Sequence, residues 1–393
     1  MSFRRYIVFF CCFLMAATAS AQRRQLQEAR IYLKSGKNFD KAEKLMTDLL
    51  KDSANHDNKR IYDYWWQSVQ KQYEQANEKF YMKQKQDTAQ FFALVRKMFS
   101  IAFTLDSVDA RPDKKGRVDI ELRKTVARDM NGYRPNLFFG GAYLVRKNDF
   151  QKAYDYFETY IDCKRQPLFE GYDFDSDPRM AEAAYWATYC GSRQQSPVLT
   201  LRYRNLALRD SSRRDRTLQY VAESWRQLND DSMYVATLIE GFREYPTSNY
   251  FFPRLMDSYT RKGMLDEALQ TVDYALEADS LSELFLYAKS NVLMQQEKYA
   301  ESLKYSEKLI TVNDAMAEAY FNAGTAYLNI ALRMDAQRHK KQIRRIYQYA
   351  MPYMEKYRAL APDEKQKWAP ALYRIYFNLN MGRQFDEIDK LLR

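Results

Sequence analysis

"YTRKGMLDEALQTVDYALEAD" (Tyr259–Asp279) and "LMQQEKYAESLKYSEKLITVN" (Leu293–Asn313) are one pattern written twice. Each has an apolar or aromatic residue, a short polar turn, a Leu or Tyr, and a small residue three positions on. The small residues, Ala268 and Ser302, stand 34 apart. The segments between repeat too: "ELFLYAKSNVL" (Glu283–Leu293) lines up with "AEAYFNAGTAY" (Ala317–Tyr327), again at 34. Apolar residues recurring every three to four positions make one face of a helix. A fixed period holding two amphipathic helices describes stacked helical hairpins, each burying its apolar face only against its neighbours. Gly and Pro are scarce, 11 and 10 in 393 residues, which suits a mostly helical chain.

Outward from this core the register loosens. Downstream, Tyr320, Gly324 and Tyr327 fit a first helix, and Ala350, Met354, Tyr357 and Pro362 a second. Ala350 follows Ser302 by 48, one period plus 14 inserted residues, and the insertion carries "RHKKQIRR" (Arg338–Arg345). Pro352 is expected to kink the second helix or delay its start. "APALYRIYFNLNMGRQFDEIDKLL" (Ala369–Leu392) reads as a last hairpin. Upstream, Ala222, Trp225, Leu238 and the closing Pro246 keep register, as do Gly141, Leu144, Phe150, Ala153 and Phe157. Pro178–Gly191 and Pro197–Ala207 read as a degenerate hairpin. Asn58–Lys83 and Asp87–Asp109 read as longer amphipathic helices, and residues 117–130 as a further helix after a polar break.

The 34-residue unit, with its small residues where paired helices touch and large ones beside them, resembles the tetratricopeptide repeat (TPR). The resemblance covers residues 22–393, clearly from 220 onward and weakly from 58 to 130. It implies an all-α, right-handed superhelical solenoid of about eight hairpins. The expected segments are 22–130 with a TPR-like start and irregular long helices, 131–219 with degenerate hairpins, and 220–393 as a C-terminal array with its insertion at about 331–346. In such proteins the concave surface is lined by the first helix of each hairpin. Carried over, that surface holds Arg254, Asp257, Tyr287, Asn291, Phe321, Asn322, Thr325 and Arg374. Some TPR proteins build a two-carboxylate clamp there. Asn291, Asn322 and Arg374 fall at three of its five places, but Tyr287 and Pro370 stand where lysines are needed. The clamp is therefore not expected; a polar-aromatic groove suited to an extended peptide is.

The N-terminus carries a different message. Arg4 and Arg5 precede an uncharged, largely apolar run, Tyr6–Ala19, and Ala19-Ser20-Ala21 is a small-x-small cleavage site. Residues 1–21 read as a secretory signal peptide, too short to span a bilayer. Cys11 and Cys12 lack the preceding motif of bacterial lipoproteins. In outline the chain resembles TPR proteins exported to the periplasm of Gram-negative, Bacteroidetes-like bacteria. Export permits a disulfide between the remaining Cys163 and Cys190. Their places at the ends of antiparallel helices put them roughly 20 Å apart, although the long connection from Lys164 to Asp177 leaves the pairing open.

The net charge of +11 is spread out, and its densest run is Arg338–Arg345. Export makes nucleic acid an improbable partner for it. An acidic partner or envelope polymer is the functional reading, and a solvated helix face the plain one. Asp173, Asp175 and Asp177 alternate as calcium-loop ligands do, yet Pro178 stands where that loop needs Gly. They read better as a helix start, with Asp177 as N-cap and Pro178 as first helical residue. Only two histidines occur, His56 and His339, and no catalytic or phosphate-binding motif is present. The expected protein is a periplasmic TPR adaptor, not an enzyme and without cofactor or metal, that binds a protein or peptide. The alternative is a carbohydrate- or envelope-polymer-binding module using exposed aromatics and the basic helix.

Overall fold

A computed structural model describes residues 22–113 and 115–393. The expected signal peptide, 1–21, lies outside the described residues. Every regular element among the described residues is helical. They form two compact units, one as far as Leu228 and the other Asn229–Arg393.

The first unit runs α1 (22–35), α2 (Phe39–Leu49), α3 (Lys59–Tyr81), α4 (Thr88–Asp109), α5 (Arg123–Tyr133), α6 (Pro135–Arg146), α7 (Phe150–Asp162), α8 (Met180–Arg193), α9 (Pro197–Arg202), α10 (Arg204–Ala207) and α11 (Arg214–Gln227). Neighbours in sequence pack as pairs: α2 on α3, α3 on α4, α6 on α7, α7 on α8. Most of the core is one apolar cluster from Tyr62 to Ala207, with Met98, Phe99, Leu105 and Phe157 fully buried in it, and a smaller cluster of Ala29, Ala42, Met46, Leu49 and Ile61 holds α1 and α2 on α3. Asp87 starts α4 by accepting from the amides of Ala89 and Gln90.

The helix expected over 117–130 begins only at Arg123. The stretch before it has no regular structure and is tied down by side chains. Asp113 accepts from the Arg117 amide at 3.0 Å, and the buried Asp109 accepts from the Leu122 amide at 2.7 Å. The helix expected over 197–207 breaks at Tyr203, whose φ of −110° separates α9 from α10.

The second unit runs α12 (Asp231–Glu244), α13 (Phe251–Arg261), α14 (Leu265–Ala278), α15 (Glu283–Gln295), α16 (Tyr299–Val312), α17 (Ala317–Leu332), α18 (Lys340–Leu360), α19 (Lys365–Leu379) and α20 (Gly382–Leu392). Each helix packs on the next, and α15 and α17, α17 and α19 also touch. That is hairpin stacking, with first helices side by side. Ala268, Ser302 and Ala350 are all fully buried where two helices meet. Gly324 permits a close approach: a Cβ there would sit 2.7 Å from the Met354 side chain.

The repeat is written in the turns as well. Gly263 and Glu297, 34 apart, both adopt left-handed backbone between paired helices (φ 69° and 60°), and Asn380 does so in the last hairpin. After each, an amide reaches back five residues: Met264 to Tyr259 O (2.9 Å), Lys298 to Leu293 O (2.9 Å), Met381 to Tyr376 O (3.0 Å). This satisfies a carbonyl that the helix end leaves open. Asn148 in the first unit repeats the motif, with Asp149 N reaching Leu144 O at 3.0 Å.

The insertion lengthens its hairpin. α17 has 16 residues and α18 has 21, against 13 and 14 in α15 and α16. α18 starts at Lys340 and runs through Pro352 without a late start. Pro352 and Gln348 are both exposed, so water can satisfy the carbonyl that the proline leaves without a donor.

Candidate functional site

The face formed by α13, α15, α17 and α19 carries all six residues expected to contact a partner. At its centre Asn322 of α17 donates 2.8 Å to Asn291 Oδ1 on α15 and 3.1 Å to Ser290 Oγ. Asn322 is buried; Asn291 is half-buried. Behind them a hydroxyl ladder continues inward: Ser290 Oγ lies 2.7 Å from Ser306 Oγ, and Ser302 Oγ donates 2.8 Å to Ser290 O. Every member is buried, and each is satisfied by another.

The aromatic members are partly used by the fold. Tyr287 is half-buried against the cluster of Leu286, Leu309 and Ala319. Its neighbour Tyr357 has a phenol held above the usual range by burial, with Lys367 opposing and Glu364, Glu318 and Tyr287 adding to it. Phe321 is half-buried, its ring 5.0 Å from that of Tyr357.

The two arginines are exposed at opposite ends of the face. Arg254 folds back onto its own helix, donating 3.0 Å to Tyr250 O with its guanidinium 3.9 Å from the Tyr250 ring. The Arg374 guanidinium makes no hydrogen bond or ion pair among the described residues. Burial pushes the Tyr347 phenol up, and the charge of Arg374 works against it, which places the two near each other. One turn past Arg374, Phe377 is 64% exposed, with its ring 5.8 Å from Phe385. The structure thus joins Asn291 to Asn322 directly, brings Tyr287 and Phe321 to the same Tyr357, holds Arg254 on Tyr250, and leaves the Arg374 guanidinium without a partner among the described residues.

Sequence reasoning missed Lys289, which is buried on α15, pairs with Asp273 and lies 5.4 Å from the Tyr305 ring. Its signal was visible: Leu286, Lys289 and Leu293 form one helical stripe, and a lysine on a buried stripe needs a partner.

In the first unit the three alternating aspartates have separate employments. Asp173 accepts from the amide of Asp175, Asp175 pairs with Lys164, and Asp177 holds Arg134 at 2.6 Å. α8 starts at Met180 rather than Pro178. Asp177 still accepts from the Arg179 amide (2.9 Å), but its other oxygen is drawn to the buried Arg134 and to Tyr160 Oη (2.6 Å). Arg134 is sandwiched between the rings of Tyr160 (3.8 Å) and Phe174 (4.2 Å). Cys163 and Cys190 are both free and buried, and burial pushes each thiol up to about 12.

A wide cleft of about 1390 Å³ opens beside Gln22, Asn55, Lys59, Asp109 and Arg117. Several of its charges are paired: Lys59 with Asp109 (3.3 Å) and Glu121 (2.8 Å), and Arg117 with Asp113 (3.0 Å). Among the described residues no group of three or more His, Cys, Asp or Glu could hold a metal ion, and no helix is long and apolar enough to cross a membrane.

Stacked hairpins, small residues at the helix contacts and a 34-residue turn motif define a TPR-like helical array. No protein-family model matches the sequence, and no curated protein matches it. Among solved structures, the chain is similar to the C-terminal part of a TPR repeat-containing protein from Cytophaga hutchinsonii, at 12% identity and TM-score 0.43, covering 64% of this chain and 93% of that one. It is similar to YrrB, described as a TPR protein with an unusual peptide-binding site, at 15% identity and TM-score 0.34, covering 51% and 96%. PilF of Pseudomonas aeruginosa matches at 15% identity and TM-score 0.32, covering 60% and 98%.

Proposed function

We propose that the protein is a non-catalytic scaffold that binds an extended segment of another protein along the face of α13, α15, α17 and α19, and that it works in the periplasm after removal of residues 1–21. One observation carries this reading. The face combines a bonded pair of carboxamides, Asn291 and Asn322, with half-buried aromatic rings and an arginine at each exposed end. Asn322 spends its amide on Ser290 and on the Asn291 oxygen, which orients the half-buried Asn291 so that its own amide N–H groups can serve the carbonyls of a peptide backbone. Half-buried rings supply apolar anchors at small entropic cost. The location rests on the charge, length and cleavage pattern of the N-terminal run. The test is recovery of the partner from the native host by wild type and by a Tyr287→Ala, Arg374→Ala double variant. Loss of the partner with an unchanged melting temperature supports the assignment; undiminished recovery removes it. The rival reading, an acidic envelope polymer held by Arg338–Arg345, is favoured by the weak neutralisation of that run. It predicts loss of binding on neutralising the run and none on changing Tyr287.

A further inference from the structure

The basic start of α18 is the feature that the scaffold reading leaves unused. From 336 to 354 the sequence holds five Lys or Arg residues and no Asp or Glu. Arg338, Lys340, Lys341, Arg344 and Arg345 are all exposed. They stand at a helix N-terminus, where the peptide dipoles already place positive potential. The second helices before it do the reverse: α12 starts with Asp231, α14 with Asp266 and Glu267, and α16 with Glu301.

Little within the protein neutralises this charge. Arg338 meets Asp335 at 3.6 Å, with both groups exposed. Arg345 donates 2.8 Å to Tyr349 Oη, which carries no charge. Lys340 and Lys341 make no hydrogen bond or ion pair among the described residues. Arg344 points to the candidate face: it donates 3.4 Å to Leu379 O, in the last turn of α19. Two residues before that carbonyl is the exposed Phe377, and one turn earlier the unpaired Arg374.

From this continuity we infer that the partner segment is acidic and carries a large apolar side chain, its carboxylates along Arg344, Arg345, Lys340 and Lys341 and its apolar group on Phe377. This rests on the peptide-binding reading and narrows it. An anionic bilayer fits less well. Ile343, Ile346 and Tyr347 of this stretch pack inward against the unit's core. On the outer face of this stretch Tyr349 is the exposed ring, and it is engaged by Arg345 and Tyr327, whereas stable membrane attachment takes two signals.

The experiment uses the chain from Gln22 onward and an immobilised array of peptides of equal length. These vary from acidic to neutral to basic, each with and without an aromatic residue. Vesicles of phosphatidylglycerol and phosphatidylethanolamine, and the acidic polymer alginate, are the further probes. Three proteins are compared: wild type, a Lys340→Ala, Lys341→Ala, Arg345→Ala variant, and the Tyr287→Ala, Arg374→Ala variant. The expected result is retention concentrated on acidic peptides with an aromatic residue, weakened about tenfold in the triple variant and weakened by added salt. Equal retention of neutral or basic peptides, undiminished binding by the triple variant, or binding to vesicles or alginate alone overturns the inference. If the triple variant binds as wild type while the double variant does not, the peptide-binding reading stands and only the acidic partner is lost.

Discussion

Asn322 on α17 donates a 2.8 Å hydrogen bond to the side-chain oxygen of Asn291 on α15, tying together the first helices of successive hairpins. Asn322 is 6% exposed, and its amide also serves the hydroxyl ladder behind it. Replacing it with Ala leaves Ser290 and Asn291 short of a donor. The expected cost is about 1–3 kcal/mol, because an unmade buried bond carries the desolvation of its abandoned partner. Asn291→Ala, at a half-buried position, should cost about 1 kcal/mol or less. Urea denaturation of the two variants checks this; equal losses would show that the ladder is not supported from Asn322.

Glu297 and Gly263 occupy the same turn position, one repeat apart, with φ of 60° and 69°. Glu297→Gly should stabilise by about 1 kcal/mol, since only Gly enters left-handed backbone without cost. Its ion pair with Arg333 is exposed on both sides and offsets little of that gain. Gly263→Ala should destabilise by a similar amount, about 1 kcal/mol, for the same reason. No atom lies within 4 Å of a Cβ built at Gly263, so crowding plays no part. Opposite signs in thermal unfolding confirm the turn geometry; equal signs contradict it.

Asp177 illustrates how a buried pair depends on both members. Burial by itself would raise its pKa. The hydrogen bonds from Tyr160, the Arg179 amide and Arg134, together with the Arg134 charge, bring it below the usual carboxylate value. A depressed folded pKa means that this stability is present above the unfolded value near 4 and fades as the pH falls through the folded one. Asp177→Asn should cost about 3–5 kcal/mol, because it strands the charge of Arg134. An Arg134→Met, Asp177→Asn double variant should recover part of that loss. Denaturant midpoints at neutral pH and about pH 3 test both statements.

Alkali should unfold the protein through buried phenols and thiols. Burial pushes Tyr73 and Tyr156, like Cys163 and Cys190, up to about 12. In the unfolded chain these groups ionise near 10 and 8.5. The folded state holds the proton more tightly, so stability is complete below about pH 8.5 and declines as pH rises toward 12. A falling urea midpoint between about pH 8 and 11 is expected, with both cysteines inert to a thiol reagent until denaturant is added. Rapid native labelling of either would contradict their burial.

Much of the second unit was legible because packing and turn chemistry agree there. Ala268, Ser302 and Ala350 had to be small where helices touch, and each is fully buried. Gly324 and Met354 were in register and do meet. The rest escaped for identifiable reasons. Residues 117–122 look helical in composition, but Asp109 and Asp113 capture their amides, a contact between segments that periodicity cannot show. In the sequence Asp177 looks like a local cap, while its stronger partner, Arg134, lies 43 residues away. On the candidate face, residue types were legible and exposure was not. Phe321 spends part of its ring on Tyr357, whereas Phe377 stands open.

The central claim is that a protein segment lies along the first helices of the second unit. Site-specific photocrosslinking in the native host tests it most directly. Probes go at Arg254 and Arg374 on that face, and at Lys308 and Lys356, exposed on the second helices α16 and α18. The account predicts one dominant protein adduct from Arg254 and Arg374 and none from the other two. Adducts confined to Lys308 or Lys356, or no protein adduct from any of the four, would contradict it.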